Sequence, residues 1–266
     1  MISFVGAGPG APDLITLRGA QRLAAADVVI WAASLVPEGL LQHCRPDAIR
    51  HDSKTMTLEA VCAVYAAHPD SAIVRLHSGD PTVYSAIGEQ IAWCRQHGRD
   101  HEIVPGVSSM NATAALAGCE LTIPGVAQSV VLTRLASGTR ASMPDRESIL
   151  AYAATGATMA VFLSVGHVDD LAARLLDSGS AYTADTPVVA GHRVSWPDEQ
   201  LLRTTVGAMA ADVHAAGFDA TTLFLIGPAL AGATDQRSHV YAASYTTRFR
   251  TAIEDDAPAS SGAAHG

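Results

Sequence analysis

The sequence predicts an α/β protein made of two α/β halves, and three observations carry that prediction. A short apolar run, a glycine-bearing loop and a helix with apolar residues at helical spacing recur in that order three times before residue 118. Such alternation builds a mainly parallel sheet with helices on its faces. A segment of Gly, Pro and polar residues, Gly118–Gly125, then interrupts the pattern, and a second alternating set follows it. Finally, 266 residues at 48% hydrophobic content and a mean hydropathy of +0.20 supply a sizeable core, which is not the balance of a disordered chain.

The elements follow in order. Ile2–Val5 is a buried strand that enters the loop Gly6-Ala7-Gly8-Pro9-Gly10. Thr16 has the side chain of a helix cap, and Leu17, Ala20, Leu23 and Ala24 recur with helical period behind it. Val28–Trp31 is the next strand and Thr57–Ala67 the next helix, with Thr57 as its cap. Ala72–Leu76 is a strand running into His77-Ser78-Gly79-Asp80-Pro81, followed by a helix over 84–97 that stops at Gly98. His101–Val104 is a strand running into Pro105-Gly106-Val107-Ser108-Ser109, followed by a helix over 109–117. After the break, strands are predicted over 129–134, 158–164, 187–191 and 222–226, with an edge strand over 201–204. Helices are predicted over 146–154, 168–177 and 206–215. The resulting division is residues 1–118, residues 119–232 and a C-terminal extension, 233–266. Its last stretch, EDDAPASSGAAHG from 254, has the composition of a disordered tail.

Composition narrows the function. A net charge of −9 argues against a general nucleic-acid binder. No run approaches the roughly 18 apolar residues of a membrane span, and the N-terminus MISFVGAG lacks a basic region and a long apolar one, so a cytoplasmic protein is expected. Cys44, Cys62, Cys94 and Cys119 form no C-x-x-C pair and read as reduced, mostly buried thiols. No spacing of His, Cys or acids suggests a metal site.

Gly6, Gly8 and Ala11 fit the dinucleotide fingerprint G-x-G-x-x-G/A, which holds only if a helix opens inside it and an acid ends the second strand. Neither condition is met. Pro9 and Pro12 occupy the place of the helix start, the clear helix begins at Thr16, and the strand ending at Trp31 continues as Ala32-Ala33-Ser34. A loop of this kind lets backbone approach a ligand closely but offers few N–H groups to a diphosphate. A tight turn without a ligand remains the other reading.

Taken together, VGAGPGAPDLIT at 5–16, LHSGDPTVY at 76–84 and VPGVSS at 104–109 resemble the tetrapyrrole methyltransferase family in order, spacing and context. The likeness runs to about residue 230. Glu120–Ser129 with Thr133-Arg134, Ala33–Val36, Met56–Glu59, Phe162–Ser164 and Trp196–Glu199 resemble the members of that family that act on precorrin-4. The resemblance implies two α/β domains with a cleft between them, a homodimer, and methylation of carbon 11 of precorrin-4 in cobalamin biosynthesis with S-adenosylmethionine as donor. It also implies the donor's contacts: Pro9 in the first loop; Ser78, Gly79, Asp80 and Val83 in the second; Ser108 and Ser109 in the third; and Ser164 and Val194 in the second half. Ala11 departs from the family pattern, where many members carry Asp.

The residues themselves leave alternatives open. Asp80 is either a ligand acceptor or the cap of its own Asp-Pro turn, and Ser108 or Ser109 is equally placed to cap a helix. His77 either tunes protons or packs at a strand end. Arg18, Lys54, Arg134 and Arg140 are candidate partners for a tetrapyrrole's carboxylates. The alternative functions are another precorrin or uroporphyrinogen-III methyltransferase, an NAD(P)-dependent oxidoreductase, and a ligand-binding protein without catalysis.

Overall fold

A computed structural model of the chain describes residues 1–135, 143–232 and 242–253. Arg140 and the tail from 254 lie outside the described residues. Every strand of a first five-stranded sheet comes from the first 104 residues: β1 (Ile2–Gly6), β2 (Val28–Trp31), β3 (Ile49–Asp52), β4 (Ile73–His77) and β5 (His101–Val104). Their spatial order is β3-β2-β4-β1-β5 and all pairs are parallel. Period-two alternation divides the strands between two cores. Val5, Val29, Val74, Leu76 and Val104 face helix α1 (Leu17–Ala24), while Ile2, Phe4, Val28, Ile30 and Ile73 face α2 (Leu58–Ala67) and α3 (Ile87–Gln96).

The caps read from the sequence are present. The Thr16 hydroxyl accepts from the Gly19 N–H at 3.1 Å and the Thr57 hydroxyl from the Ala60 N–H at 3.3 Å. Strand β3 was not predicted, because Ile49-Arg50-His51-Asp52 is a short, polar edge strand with no apolar alternation. The helix predicted from residue 84 starts only at Ile87, since Tyr84 and Ala86 take left-handed backbone angles (φ 54° and 49°) that no α-helix admits.

The second sheet has the order β6-β7-β10-β8-β9, formed by β6 (Val130–Arg134), β7 (Thr158–Phe162), β8 (Pro187–His192), β9 (Gln200–Thr205) and β10 (Thr222–Ile226). Only β6 and β7 run parallel; β7–β10, β10–β8 and β8–β9 are antiparallel. Strands β8 and β9 are joined by residues 193–199, which are too few for a helical crossover, so the pair closes as a hairpin. One face carries α5 (Ile149–Ala153), α6 (Val168–Leu175) and α7 (Met209–Ala216) around Met159, Val161, Leu171, Phe224 and Val213. The other face is covered by α4 (Ser109–Leu116), which leaves the first sheet after β5 and packs Ala114 and Ala117 against Ala160, Val189 and Leu225. Helix α4 thus ties the end of the first sheet to the second. Among the described residues all four cysteines are unpaired, and no helix is long and apolar enough to cross a membrane.

Candidate functional site

Three loops that are far apart in sequence meet because their strands are neighbours. Strand β1 lies between β4 and β5 and all three are parallel, so the loops after them leave the same sheet edge, where ligands of such sheets sit. The contact between the loops is backbone on backbone. A Cβ placed on Gly6 would lie 2.6 Å from the Gly106 nitrogen and 2.7 Å from the Gly79 oxygen. Gly8 and Gly79 exchange both backbone hydrogen bonds, at 3.2 and 2.8 Å. Asp80 then joins the second loop to the third. One carboxylate oxygen accepts from the Gly106 N–H at 2.8 Å, and the other accepts from the Thr82 N–H at 2.8 Å and from the Thr82 hydroxyl. Burial pushes the Asp80 carboxyl upward, but the hydrogen bonds from the Thr82 side chain, the Gly106 N–H and the Thr82 N–H outweigh it and hold the group below its usual range.

The first loop makes a poor diphosphate cradle. The Ala7 N–H donates to the His77 carbonyl at 2.8 Å, the Gly8 N–H to Gly79, and the Ala11 N–H to the Ser195 hydroxyl at 2.9 Å. Pro9 and Pro12 have no N–H to give. The α-helix begins at Leu17, after a 3-10 turn at Pro12–Leu14.

The second sheet supplies the opposite wall. The end of β7 and the segment after it contribute Phe162, Leu163 and Val165, and the end of β8 and the segment after it contribute Gly191, Arg193, Val194 and Trp196. The Trp196 indole N–H donates to the Pro9 carbonyl at 3.0 Å and closes this wall onto the first loop. Between the walls lies a cavity of about 570 Å³, inside the usual size range of small-molecule sites. Backbone strain surrounds it. Of the six non-glycine residues with positive φ among those described, Tyr84, Ala86, Leu163, Arg193 and Thr221 line the cavity, and Ser195 sits between two that do. Strain of this kind persists where surrounding structure over-determines it, and it concentrates at ligand sites.

The structure brings Pro9, Ser78, Gly79, Asp80, Val83, Ser108, Ser109 and Val194 together on the cavity wall. Ser164 is not brought to it. Its fully buried hydroxyl donates to the Phe162 carbonyl at 2.7 Å and accepts from the Leu135 N–H at 2.8 Å, behind the wall its neighbours form. Ser108 caps α4, accepting from the Met110 N–H at 3.3 Å, and still faces the cavity. Asp80 likewise serves its own turn and the wall at once. Of the candidate cations, Lys54 pairs with Asp52 at 3.2 Å, Arg18 is exposed, and neither these nor Arg134 lines the cavity.

Sequence reasoning missed Thr113, Gly191, Arg75, Arg193 and Trp196 as site residues; of the 193–196 segment it named Val194 alone. Thr113 is fully buried with its hydroxyl unpartnered, and a Cβ on Gly191 would come within 2.7 Å of it. The absence of a side chain at 191 makes room for Thr113 itself, which packs directly against that backbone. The Val194 assignment and the Trp196–Glu199 likeness signalled this region beforehand.

His77 lines the cavity at 7% exposure, with its Nε2 unpartnered. Burial, and then the nearby Arg75 guanidinium, push its pKa down to about 3. The unfolded chain therefore binds a proton near pH 6.5 that the folded chain refuses until about pH 3. Between those values the unfolded state holds more protons, so stability falls as the pH falls, by at most about 1.4 kcal/mol per pH unit for one site. His192 is shifted in the same direction, chiefly by burial, so the difference between proteins isolates His77. The denaturation midpoint of a His77→Gln protein is expected to fall less between pH 7 and pH 4 than that of the wild type. Parallel curves would assign the acid sensitivity elsewhere.

Comparison with known proteins agrees with this architecture. The sequence profile of the Tetrapyrrole (Corrin/Porphyrin) Methylases matches residues 1–210. A precorrin-4 C(11)-methyltransferase from Sinorhizobium sp is 41% identical over 251 residues, covering 94% of this chain and 98% of that protein. The X-ray structure of a cobalamin biosynthetic enzyme, cobalt precorrin-4 methyltransferase, superposes with a TM-score of 0.82 at 38% identity, covering 86% of this chain and 95% of the other. A uroporphyrin-III C-methyl transferase from Thermus thermophilus, complexed with S-adenyl homocysteine, superposes with a TM-score of 0.69 at 26% identity over 86% and 92% of the two chains.

Proposed function

The chain belongs to the tetrapyrrole (corrin/porphyrin) methylases, and from that membership we propose that it transfers a methyl group from S-adenosylmethionine to carbon 11 of precorrin-4, a step of cobalamin biosynthesis. The observation that carries the reading is the cavity itself. Three glycine loops are locked together on one side, a strained wall from the second sheet faces them, and polar groups line the space between. The names of the relatives with high identity over nearly the whole chain supply the substrate. We take residues 1–118 and 119–232 as the two domains, and the enzyme as a cytoplasmic homodimer.

S-adenosylmethionine supplies an activated methyl group on a sulfonium, so the protein needs no nucleophile of its own. Pro9, Ser78, Gly79, Asp80, Val83, Ser108, Ser109 and Val194 would hold the donor. Their chemistry suits it, since hydroxyls and backbone groups can meet its ribose, adenine and amino-acid portions. The protein's share of the rate is positional, because fixing two reactants at near-attack distance removes much of an entropic barrier. Arg134 lies in register with Phe162, a residue of the cavity wall, across β6 and β7, which places its charge near the cavity rim. An Arg134→Ala enzyme is expected to show a KM for the tetrapyrrole about tenfold higher with donor affinity unchanged. Unchanged KM would remove Arg134 from substrate binding.

Incubation with labelled S-adenosylmethionine and a panel of precorrins, with the new methyl located by NMR, tests the function. Methyl on carbon 11 supports the proposal, and methyl at another position makes the chain a different member of the family. Donor binding without transfer would make it a binding protein, and NAD(P) binding without donor binding would restore the dinucleotide reading.

A further inference from the structure

Arg75 occupies a place where a charge is expensive. It lies in register with Phe4 and Ile30 across the first sheet, on the apolar face packed by α2 and α3. No carboxylate lies within ion-pair distance of it among the described residues. Its three hydrogen bonds all leave from Nη1 and end on neutral acceptors: the Ser53 hydroxyl at 2.9 Å, and the Ile30 and Leu76 carbonyls at 3.4 Å each. Its Nε is buried without a partner. A guanidinium does not escape the cost of burial by losing its proton, so a buried one is normally answered by an anion.

The described residues hold no such anion nearby, but the cavity reaches this residue. The other arginine in the wall, Arg193, is already answered by Asp198 at 2.9 Å. The wall's carboxylate, Asp80, has both oxygens engaged by Gly106 and Thr82. His77 is two residues along β4 from Arg75, on the same face of the sheet; it also lines the cavity and holds a second buried, unpartnered nitrogen. We propose that Arg75, together with His77, forms the receptor for a carboxylate of the ligand that fills this cavity. This rests on the methyl-transfer reading, in which both the donor's amino acid and the macrocycle's side chains carry carboxylates. The guanidinium's planar fork suits bidentate pairing with such a group, and His77, neutral at physiological pH, contributes one N–H.

The experiment measures two quantities on wild type, Arg75→Met and Arg75→Lys: the Kd for S-adenosylhomocysteine by calorimetry and the KM for precorrin-4. Arg75→Met is expected to weaken one of them about 10- to 100-fold, and Arg75→Lys, which keeps the charge but not the fork, to weaken the same one by less. If the homocysteine ligand is affected, the wild-type preference for it over 5′-methylthioadenosine, which lacks the amino acid, should collapse in Arg75→Met, and the carboxylate is the donor's. If only the precorrin KM rises, the carboxylate is the macrocycle's. Should Arg75→Met fail to fold, the Arg75→Lys protein carries the same comparison. Folded variants with both quantities at wild-type values overturn the proposal. A wild type that binds no S-adenosylhomocysteine overturns the methyl-transfer reading instead.

Discussion

A Gly106→Ala enzyme is expected to bind S-adenosylhomocysteine about 100-fold more weakly or worse, with a matching loss of methyl transfer. The reason is space and not backbone conformation, since Gly106 does not adopt a positive φ. Its new Cβ would lie 2.7 Å from the Gly6 Cα, 3.0 Å from the Gly6 carbonyl carbon and closer still to the Gly79 oxygen. All three neighbours are main-chain atoms, so no rotamer change relieves the clash. The loops also cannot drift apart cheaply. The Gly106 N–H is held by Asp80, and Gly8 is paired to Gly79 on the other side. Relief requires breaking one of these links, which moves Asp80, Ser108 and Pro9 on the cavity wall together. Overpacking a tight site typically costs about 1–3 kcal/mol and at times more, and here the cost falls on the loops that make the site. Gly88→Ala provides the control. A Cβ there meets nothing within 4 Å, and the residue lies in α3, so stability should stay level or rise slightly. Equal ligand affinity in wild type and Gly106→Ala, measured by calorimetry on proteins of matched thermal stability, would show that the close approach of the loops is not needed for binding.

The same loops show what could and could not be read from the sequence. Each follows a strand with buried apolar residues, and the first and third are closed by a helix with a capping side chain, Thr16 and Ser108; both signals are local. That they share an edge is also legible, because the parallel strands of one sheet put their following loops on the same side; that β1 lies between β4 and β5 is set by the sheet order. Local signals do not extend to features set by tertiary neighbours. Arg75 looks like any polar residue inside a strand until the register places it beside Phe4 and Ile30. Tyr84 and Ala86 read as helical because nothing in their own propensities announces the left-handed angles they take beside the cavity. Strand β3 carries too few apolar residues to reveal itself, and the antiparallel run of the second sheet depends on the 193–199 hairpin rather than on composition. Ser164 shows the opposite failure. Its segment does line the cavity, but its hydroxyl points back to Leu135 and Phe162, a direction that no sequence pattern reports.

Trp196→Ala is expected to weaken S-adenosylhomocysteine binding about 10- to 100-fold and to lower the denaturation midpoint. The indole touches the first loop in two ways. Its N–H donates to the Pro9 carbonyl at 3.0 Å, and its ring lies so close over Gly10 that a Cβ there would fall 2.7 Å from the indole nitrogen. The Arg193 guanidinium stacks 4.3 Å from the ring centroid and is itself held by Asp198. Next to the indole, the Ser195 hydroxyl accepts from the Ala11 N–H, and the Glu199 carboxylate accepts from the Ser195 N–H at 2.8 Å. The positive φ angles of Arg193 and Ser195 thus sit among contacts that tie the 193–199 hairpin to itself and to the first loop. Removing the ring frees the Pro9 carbonyl, opens a gap over Gly10 and releases the strain that aims Val194 at the cavity. Trp196→Phe keeps a ring over Gly10 but leaves the Pro9 carbonyl without its donor, so a smaller loss of about five- to tenfold is expected. Gly10→Ala should reproduce much of the Trp196→Ala defect by expelling the indole from the other side. Because both changes break one contact, the Gly10→Ala/Trp196→Ala double variant should be no worse than the more damaging single one, with a coupling energy of about 1–3 kcal/mol in the cycle. Strict additivity would mean that the two residues act on the cavity separately and that the two walls are held together elsewhere.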